Sequence, residues 1–302
     1  MVQKKEKWRG NFTIPMTPFT EDNCVDEGVL RKEVQFCIER EVDGLVVPVM
    51  VSEFELLSEK ERQLMIRIPV EESAGKVPVV AGCSAVNIPL AVDYAVYAEK
   101  VGANAVIAMP PYITCGLKPD FQMIYSYYKA ISDAVSIPVW IQNADIVPLS
   151  LDQVIKLCNE IENVKWVKEE VKPSTQRISA LVKRNHPAVE GIMGGQGGKY
   201  LISEWARGSR GCITACEFCD IIQKIWDLLD DEKIEQAGKL FEQYLPALVL
   251  EELMGVAFCK EIMKRRGIFK NNKIRILQNP FDKDDMREID RVWERIRPHL
   301  IW

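Results

Sequence analysis

Short apolar runs and longer amphipathic segments alternate along most of the chain. Eight runs rich in Val, Ile, Ala and Met recur at an even step, and each but the last precedes a segment of helical periodicity. The runs are nearly continuous rather than interrupted by charge, which is typical of parallel strands covered on both faces. They begin near Gly10, Gly44, Pro78, Ala105, Pro138, Val164, Val189 and Gly211.

The order of these segments predicts the fold class and the domains. Strand, helix and strand repeated eight times favours an α/β fold, a closed (β/α)₈ TIM barrel over residues 8–217, rather than an open doubly wound sheet. Ser58 with Glu61, and Ser150 with Gln153, have the spacing of capping boxes at helix starts. Beyond residue 217 only helical periodicity is left, so residues 218–302 are expected to form a C-terminal helical extension.

Composition excludes several classes of partner. A chain of 302 residues with a net charge of −5 has no global bias toward nucleic acid or anionic membrane. Its apolar stretches fall short of the roughly 20 residues that a membrane span needs, and the N-terminus lacks the apolar core of a signal peptide. We expect a cytoplasmic protein with neither a nucleic-acid nor a membrane partner.

The cysteines indicate reduced thiols rather than a metal site. There are nine, an odd number, scattered through apolar segments. Cys212, Cys216 and Cys219 cluster, but a four-ligand site needs another Cys or His, and His186 and His299 are distant in sequence. We therefore expect no metal and interpret the three cysteines as small buried residues.

Lys168 is the most informative residue at a predicted strand end, where active sites of this fold lie. Trp166, Lys168 and Glu170 share one face of the sixth run because side chains alternate along a strand. A lysine inside a barrel mouth is partly desolvated, which favours the neutral, nucleophilic amine. The alternative is that Lys168 is a solvated lysine at the end of a strand.

A glycine cluster, Gly194-Gly195-Gln-Gly-Gly, follows the seventh run. It is open to two interpretations. The glycines can form a permissive turn, or their backbone can line the substrate's oxygens, since loops after strands seven and eight often bind anionic groups. Gly194 and Gly195 are accordingly substrate-binding candidates.

Several stretches carry a family resemblance: GNFTIPMTPFTEDNCVD, GLVVPVMVSEFELLSEKERQ, AVIAMPPY, VKWVKEE and the region from GGQGGKYL to GSRGCITA. Through them the chain resembles the dihydrodipicolinate synthase and N-acetylneuraminate lyase family over essentially its full length. In that family the lysine matching Lys168 forms an imine with pyruvate or a related 2-oxo acid. The resemblance implies a homodimer or homotetramer, and no cofactor because the imine itself accepts the electrons.

The segment after the second strand departs from the family pattern. The family usually has Gly-Thr-Thr-Gly-Glu there, where hydroxyls and amides hold the substrate carboxylate, whereas this chain has Val49-Met-Val51-Ser52-Glu53. Ser52 still offers a hydroxyl, and the amides of Val51 and Ser52 can bind an anion whatever the side chain. A turn residue at a helix entry is the alternative for Ser52. Thr17, at the end of the first strand, is a further substrate-binding candidate.

The segment after the fifth strand departs as well. The family typically shows Tyr-Asn, with an arginine nearby in the synthases, whereas this chain has Gln142-Asn143-Ala-Asp. A glutamine amide cannot exchange a proton as a phenol does, so Gln142 would orient substrate or water. Asn143 is a substrate-binding candidate. These losses argue against the synthase itself, and Gln-Asn-Ala with Lys-x-Glu-Val resembles the 2-keto-3-deoxy-L-arabonate dehydratase branch.

The expected function is that of a Schiff-base lyase acting on a small 2-oxo acid, foremost a 2-keto-3-deoxy sugar acid dehydratase. Lys168 would attack the ketone. Glu170 would act as acid or base, because burial favours the protonated form of a carboxyl group, unless it only pairs with a loop lysine. Two alternatives stay open: a pyruvate-dependent aldolase, which is a carbon-carbon lyase, and a catalytically silent ligand-binding barrel.

Overall fold

Eight parallel strands close into a barrel in which each strand pairs with the next and β8 pairs with β1. The computed structural model describes residues 8–112 and 119–301. Closure of the ring confirms the predicted (β/α)₈ TIM barrel. Every strand begins within two residues of the start of its predicted apolar run. The strands are β1 (Gly10–Ile14), β2 (Gly44–Val47), β3 (Val79–Gly82), β4 (Ala105–Ala108), β5 (Val139–Asn143), β6 (Val164–Glu169), β7 (Gly191–Gly194) and β8 (Gly211–Ala215).

Helices cover the outside of the barrel, one after each strand. Both predicted capping boxes are present, with Ser58 and Ser150 each accepting the N–H of the residue three positions later. The helices are α1 (Glu27–Glu39), α2 (Glu59–Ser73), α3 (Ile88–Val101), α4 (Phe121–Ala134), α5 (Leu151–Glu160), α6 (Ser174–Arg184), α7 (Leu201–Trp205), α8 (Cys219–Asp230), α9 (Ile234–Arg265) and α10 (Lys283–Ile296).

The C-terminal helices share a core with the end of the barrel. One apolar cluster joins Leu201 and Cys212 to buried residues of α8, α9 and α10. The expected helical extension is therefore present and packs on the barrel. Its boundary at residues 217 and 218 stays a prediction, and residues 113–118 and 302 of the two predicted domains lie outside the described residues.

Aromatic rings fill the interior of the barrel. Trp140 and Trp166 stack with centroids 5.1 Å apart, and Trp8 meets Trp140 edge-on at 5.3 Å. Gly191 is required beside them, because a Cβ there would lie 2.1 Å from the Trp166 ring. The next inward positions, Gln142 and Lys168, therefore lie above a closed aromatic floor.

The described residues also bear on the membrane and cysteine predictions. Among the described helices, none is long and apolar enough to cross a membrane. Cys212, Cys216 and Cys219 are buried free thiols, in agreement with their interpretation as small buried residues.

Candidate active site

Lys168 lies near the carboxyl end of β6, with its side chain inside the mouth of the barrel. It is in register with Gln142 of β5 and Met193 of β7, and only 4% of the residue is exposed. The Nζ atom lies 2.9 Å from Oε2 of Glu170. The structure thus places the amine in a sheltered site rather than at a solvated strand end.

Glu170 connects Lys168 to two other parts of the mouth. Its Oε2 also accepts a 3.1 Å hydrogen bond from Nε2 of Gln142, and its Oε1 accepts a 2.9 Å bond from the backbone N–H of Gln196. The Gln196 side chain in turn donates to the Glu170 carbonyl oxygen at 2.6 Å. Gly195 permits this approach, since a Cβ there would lie 2.3 Å from Oε1 of Glu170. The carboxylate is therefore held in one orientation.

These groups line a cavity of about 190 Å³, which we call the site cavity. Among the described residues, two buried polar atoms in its wall find no hydrogen-bond partner: Oε1 of Gln142 and Oγ1 of Thr214. Because buried polar atoms are normally hydrogen-bonded, these two indicate where a ligand or water would bind. The wall consists of Ile14, Val49, Met50, Val51, Gln142, Lys168, Glu170, Gly197, Ile213, Thr214, Ala215 and Glu251.

Of the predicted residues after the first two strands, only Val51 reaches the site cavity. The Ser52 hydroxyl donates to the Pro15 carbonyl at 2.7 Å and accepts the N–H of Val49, while the Ser52 N–H donates to the Val49 carbonyl. Thr17 donates to the Ser52 carbonyl at 2.6 Å. Both hydroxyls are thus used in holding the turn, and their placement gives no support to substrate binding.

Asn143 points away from the site cavity, because it follows the inward Gln142 by one residue on β5. Its amide bonds Oε2 of Glu169 at 2.9 Å and accepts the N–H of Leu149 at 2.8 Å. Burial raises the pKa of Glu169, and its ion pair with Arg177 opposes that rise. Asn143 therefore belongs to the network outside the barrel wall rather than to the substrate side.

Gly194 likewise lies against a buried carboxyl group and not against the site cavity. A Cβ there would lie 1.9 Å from Oε2 of Glu204. Ser174 donates to Oε1 of Glu204 at 2.9 Å, whereas no described residue donates to Oε2. Burial raises the pKa of Glu204 to about 7. Gly194 thus makes room for Glu204 behind the mouth.

Three residues of this site were assigned no role from the sequence: Gln196 and Thr214, which lie at predicted strand ends, and Glu251. Thr214 follows the strand-end rule at β8, so its signal was present, and Gln196 lies inside the glycine cluster. Glu251 comes from α9 and carried no positional signal.

Among the described residues, Glu217, Glu251 and Cys259 each bring one possible ligand atom within 4.8 Å of the others, a spacing that a metal ion could use.

Comparison with known proteins identifies the family. The sequence model of the Dihydrodipicolinate synthetase family matches residues 7–295. The chain belongs to this family. Dihydrodipicolinate synthetase family members are lyases, aldolases and dehydratases that use a Schiff-base lysine, and this chain is accordingly an enzyme of the lyase class. The expectation of a Schiff-base lyase is therefore confirmed at the level of the family.

Two curated relatives differ in activity. The chain is 26% identical to L-2-keto-3-deoxyarabonate dehydratase of Azospirillum brasilense over 296 residues, which are 97% of this chain and 96% of that protein. It is 31% identical to 4-hydroxy-tetrahydrodipicolinate synthase of Bradyrhizobium diazoefficiens over 254 residues, which are 80% of this chain and 81% of that protein. Relatives that are similar to this chain over most of its length thus include both a dehydratase and a synthase.

Solved structures agree in fold. A putative dihydrodipicolinate synthetase from Pseudomonas aeruginosa superposes with a TM-score of 0.89 at 22% identity, covering 96% of this chain and 99% of its own. YagE, a prophage protein of E. coli K12 solved in complex with pyruvate, has a TM-score of 0.88 at 19% identity, covering 97% and 99%. At these sequence identities the structural similarity shows a shared fold.

Proposed function

We propose that the protein dehydrates a 2-keto-3-deoxy sugar acid held as a Schiff base on Lys168. The observation that carries the proposal is the contact between Nζ of Lys168 and the carboxylate of Glu170, with an amide, Gln142, on the same oxygen. A buried amine beside one carboxylate can condense with a ketone and exchange protons. Similarity to the dehydratase of Azospirillum brasilense supports this choice of substrate class.

Condensation begins with proton transfer from Lys168 to Glu170 across their 2.9 Å contact. The free amine adds to the C2 carbonyl of the 2-oxo acid, and the carbonyl oxygen leaves as water. A protonated imine remains, bound through Nζ. Its positive charge draws electrons from the C2–C3 region, so no metal or organic cofactor is proposed.

Dehydration follows from the same pair of groups. Glu170 removes a proton from C3, and the C3–H electrons form the C2–C3 double bond of an enamine. The enamine then re-forms the C2–N double bond, C3 and C4 become doubly bonded, and the C4 hydroxyl leaves with the proton from Glu170 as water. Hydrolysis of the conjugated imine releases the 2-oxo acid and restores Lys168.

Gln142 and Val51 complete the proposed site. Gln142 fixes the Glu170 carboxylate with its N–H and leaves its buried Oε1 free to accept a substrate hydroxyl or a water. Val51 lies in the cavity wall at the turn after β2, where its backbone amide would meet the substrate carboxylate. Thr17, Ser52, Asn143, Gly194 and Gly195 act in this proposal by holding the surrounding turns.

A pyruvate-dependent aldolase of the same family is the second candidate. Retro-aldol cleavage needs a base to take the proton of the C4 hydroxyl while the C3–C4 bond breaks. The amide of Gln142, which stands at the mouth on β5, cannot take that proton. The absence of a phenol at this position favours elimination over cleavage.

The decisive experiment is borohydride trapping followed by mass spectrometry. Pyruvate and 4,5-dihydroxy-2-oxopentanoate are each incubated with the wild type, with Lys168→Ala and with the exposed control Lys172→Ala. We expect an adduct at Lys168 in the wild type and the control, and none in Lys168→Ala. Without borohydride, the five-carbon acid should lose water and keep its carbon skeleton.

Two other results would redirect the assignment. Formation of pyruvate and glycolaldehyde from the five-carbon acid would identify the aldolase. A wild type that gives no adduct with any 2-oxo acid would indicate the silent binding barrel. The homodimer or homotetramer and the cytoplasmic location stay proposals, and light scattering on the purified chain tests the first.

A further inference from the structure

One wall of the site cavity comes from outside the barrel. Glu251 of α9 lines it together with Lys168, and it is the only wall residue among those described that lies beyond β8. The loop after β7 docks onto this part of α9, where Lys199 forms a 2.5 Å ion pair with Glu252. Gly197, at φ +64°, leaves space beside Glu251, since a Cβ would lie 2.9 Å from Oε1. The missing side chain at Gly197 thus leaves room for the carboxyl group of Glu251 on α9.

A second carboxyl group stands behind Glu251. Possible ligand atoms of Glu217, Glu251 and Cys259 lie within 4.8 Å of one another, and Oε2 of the buried Glu217 has no hydrogen-bond partner in the part of the chain that the structure describes. A buried and a partly buried carboxyl group this close disfavour a second negative charge. The cation that acts on Glu251 is Lys199, which is itself paired with the exposed Glu252.

Burial also raises the pKa of both carboxyl groups, Glu217 and Glu251. It raises the pKa of Glu217 to about 7, and burial with the neighbouring charge of Glu217 raises the pKa of Glu251 well above its usual range. The carboxyl group of Glu251, which lines the cavity, can therefore form a hydrogen bond with a neutral group there.

Thr214 adds a second polar group without a formal charge. Its Oγ1 is buried in the cavity wall on β8 and has no hydrogen-bond partner within residues 8–112 and 119–301. A hydroxyl and a carboxyl group both match a neutral alcohol, which donates and accepts at once. Lys168 and Glu170, by contrast, form the charged part of the wall and suit the ketone end of the substrate.

We propose that Glu251, together with Thr214, is a specificity-determining residue that binds the terminal hydroxyl of the sugar acid. The inference rests on the proposed function, which supplies the 2-oxo acid on Lys168. It assigns the C-terminal extension a direct contact with the substrate. The barrel would then perform the imine chemistry, and α9 would distinguish a polyhydroxylated acid from a simple 2-oxo acid.

The test compares 4,5-dihydroxy-2-oxopentanoate with 4-hydroxy-2-oxopentanoate, which lacks only the terminal hydroxyl. For each acid, the concentration giving half-maximal borohydride trapping is measured for wild type, Glu251→Ala, Glu251→Gln and Thr214→Val. Glu242→Ala, an exposed position on the same helix, is the control. Trapping of pyruvate, which has no such hydroxyl, reports separately on folding and on Lys168.

We expect the wild type to prefer the dihydroxy acid and Glu251→Ala to lose about tenfold of that preference, the effect of one buried hydrogen bond. Thr214→Val should lose part of it, and Glu251→Gln should keep most because an amide also donates. Glu242→Ala should match the wild type in both its preference and its pyruvate trapping, and the preference of each other variant is measured relative to its own pyruvate trapping. Should Glu251→Ala fail to fold, Glu251→Gln and Thr214→Val decide.

Three results would overturn the inference. Wild-type preference in a Glu251→Ala protein that traps pyruvate normally would remove Glu251 from substrate recognition. Loss of the preference after treatment with EDTA would assign the Glu217, Glu251 and Cys259 cluster to a cation instead. Failure of the wild type to trap any 2-oxo acid would defeat the proposed function, and the inference with it.

Discussion

At the residue scale, Glu170 carries more of the site's organisation than its position after β6 suggests. One carboxylate contacts the amine of Lys168, the amide of Gln142 and the backbone of Gln196, which come from β6, β5 and the loop after β7. A group held by three donors changes little in position during a reaction, which favours proton transfer along fixed paths. Removing its charge should therefore affect chemistry more than binding.

Glu170→Gln should separate imine formation from dehydration. The amide keeps the shape of the side chain but cannot carry a proton, so we expect pyruvate to be trapped still at Lys168, more slowly. The kcat for dehydration should fall by about 100-fold or more. Stopped turnover assays and trapping on the same preparation measure both steps, with the exposed Glu162→Gln as control. Equal loss of trapping and dehydration would show that Glu170 only pairs with the lysine.

The alternation of side chains along a strand was sufficient to predict part of this site. It placed Trp166, Lys168 and Glu170 on one face, and the structure brings Lys168 and Glu170 together. The same rule explains why Gln142 faces the cavity and the adjacent Asn143 does not. Ser52 could not be judged in this way, because it lies in a turn whose hydrogen bonds depend on Pro15, a distant residue.

At the scale of elements, α9 combines two tasks, since it covers the end of the barrel and delivers Glu251 to the mouth. The helix bends at Gly255, where φ is 59° and ψ is −147°. That conformation is nearly exclusive to glycine. The bend separates the segment that carries Glu251 from the segment whose Lys260 pairs with Glu53 near the second-strand turn.

Gly255→Ala should destabilise the protein through the backbone alone. The nearest atom to a Cβ there is Oε1 of Gln278 at 4.0 Å, so no clash contributes. We expect the free energy of unfolding to fall by about 1–3 kcal/mol. Gly238→Ala, on the same helix with ordinary helical φ and open space, should instead stabilise by about 0.5–1 kcal/mol. Urea denaturation measures both, and equal effects would refute a strained bend.

Strands and helices that are marked by their own sequence could be predicted, whereas the packing of α9 against the barrel mouth could not. Apolar runs covered on both faces located every strand, and the capping boxes at Ser58 and Ser150 located two helix starts. The approach of α9 to the loop after β7 depends on Lys199, Glu252 and the backbone at Gly197. Those contacts join residues about fifty positions apart, and no periodicity within either segment reports them.

At the scale of the whole molecule, three carboxyl groups are buried around the barrel: those of Glu33, Glu204 and Glu217. Oε1 of Glu33 on α1 accepts the Met16 N–H at 2.8 Å and a hydrogen bond from the Cys216 thiol at 3.1 Å, while its Oε2 has no partner among the described residues. Burial raises the pKa of Glu33 to about 8, and those of Glu204 and Glu217 to about 7. Folding therefore favours their protonated forms.

Stability should in consequence fall as the pH rises from about 5 to about 8. In the unfolded chain these carboxyl groups ionise near pH 4.5, so above that pH the unfolded state binds fewer protons than the folded state. The loss continues until the folded pKa values are passed. Groups with lowered pKa values, such as Glu61 at about 2, titrate below this window. We expect a decrease of at least about 1 kcal/mol, visible as a lower urea midpoint.

Glu33→Gln connects this trend to one group. The amide oxygen can still accept the N–H of Met16, but the side chain no longer titrates, so the midpoint should depend less on pH than in the wild type. Glu39→Gln, at a position on the same helix whose side chain is 67% exposed, is the control and should keep the wild-type slope. A wild-type midpoint that rises or stays level between about pH 5 and pH 8 would contradict the role of burial. A Glu33→Gln slope equal to that of the wild type would move the effect to Glu204 and Glu217, where the corresponding glutamine variants would have to reveal it.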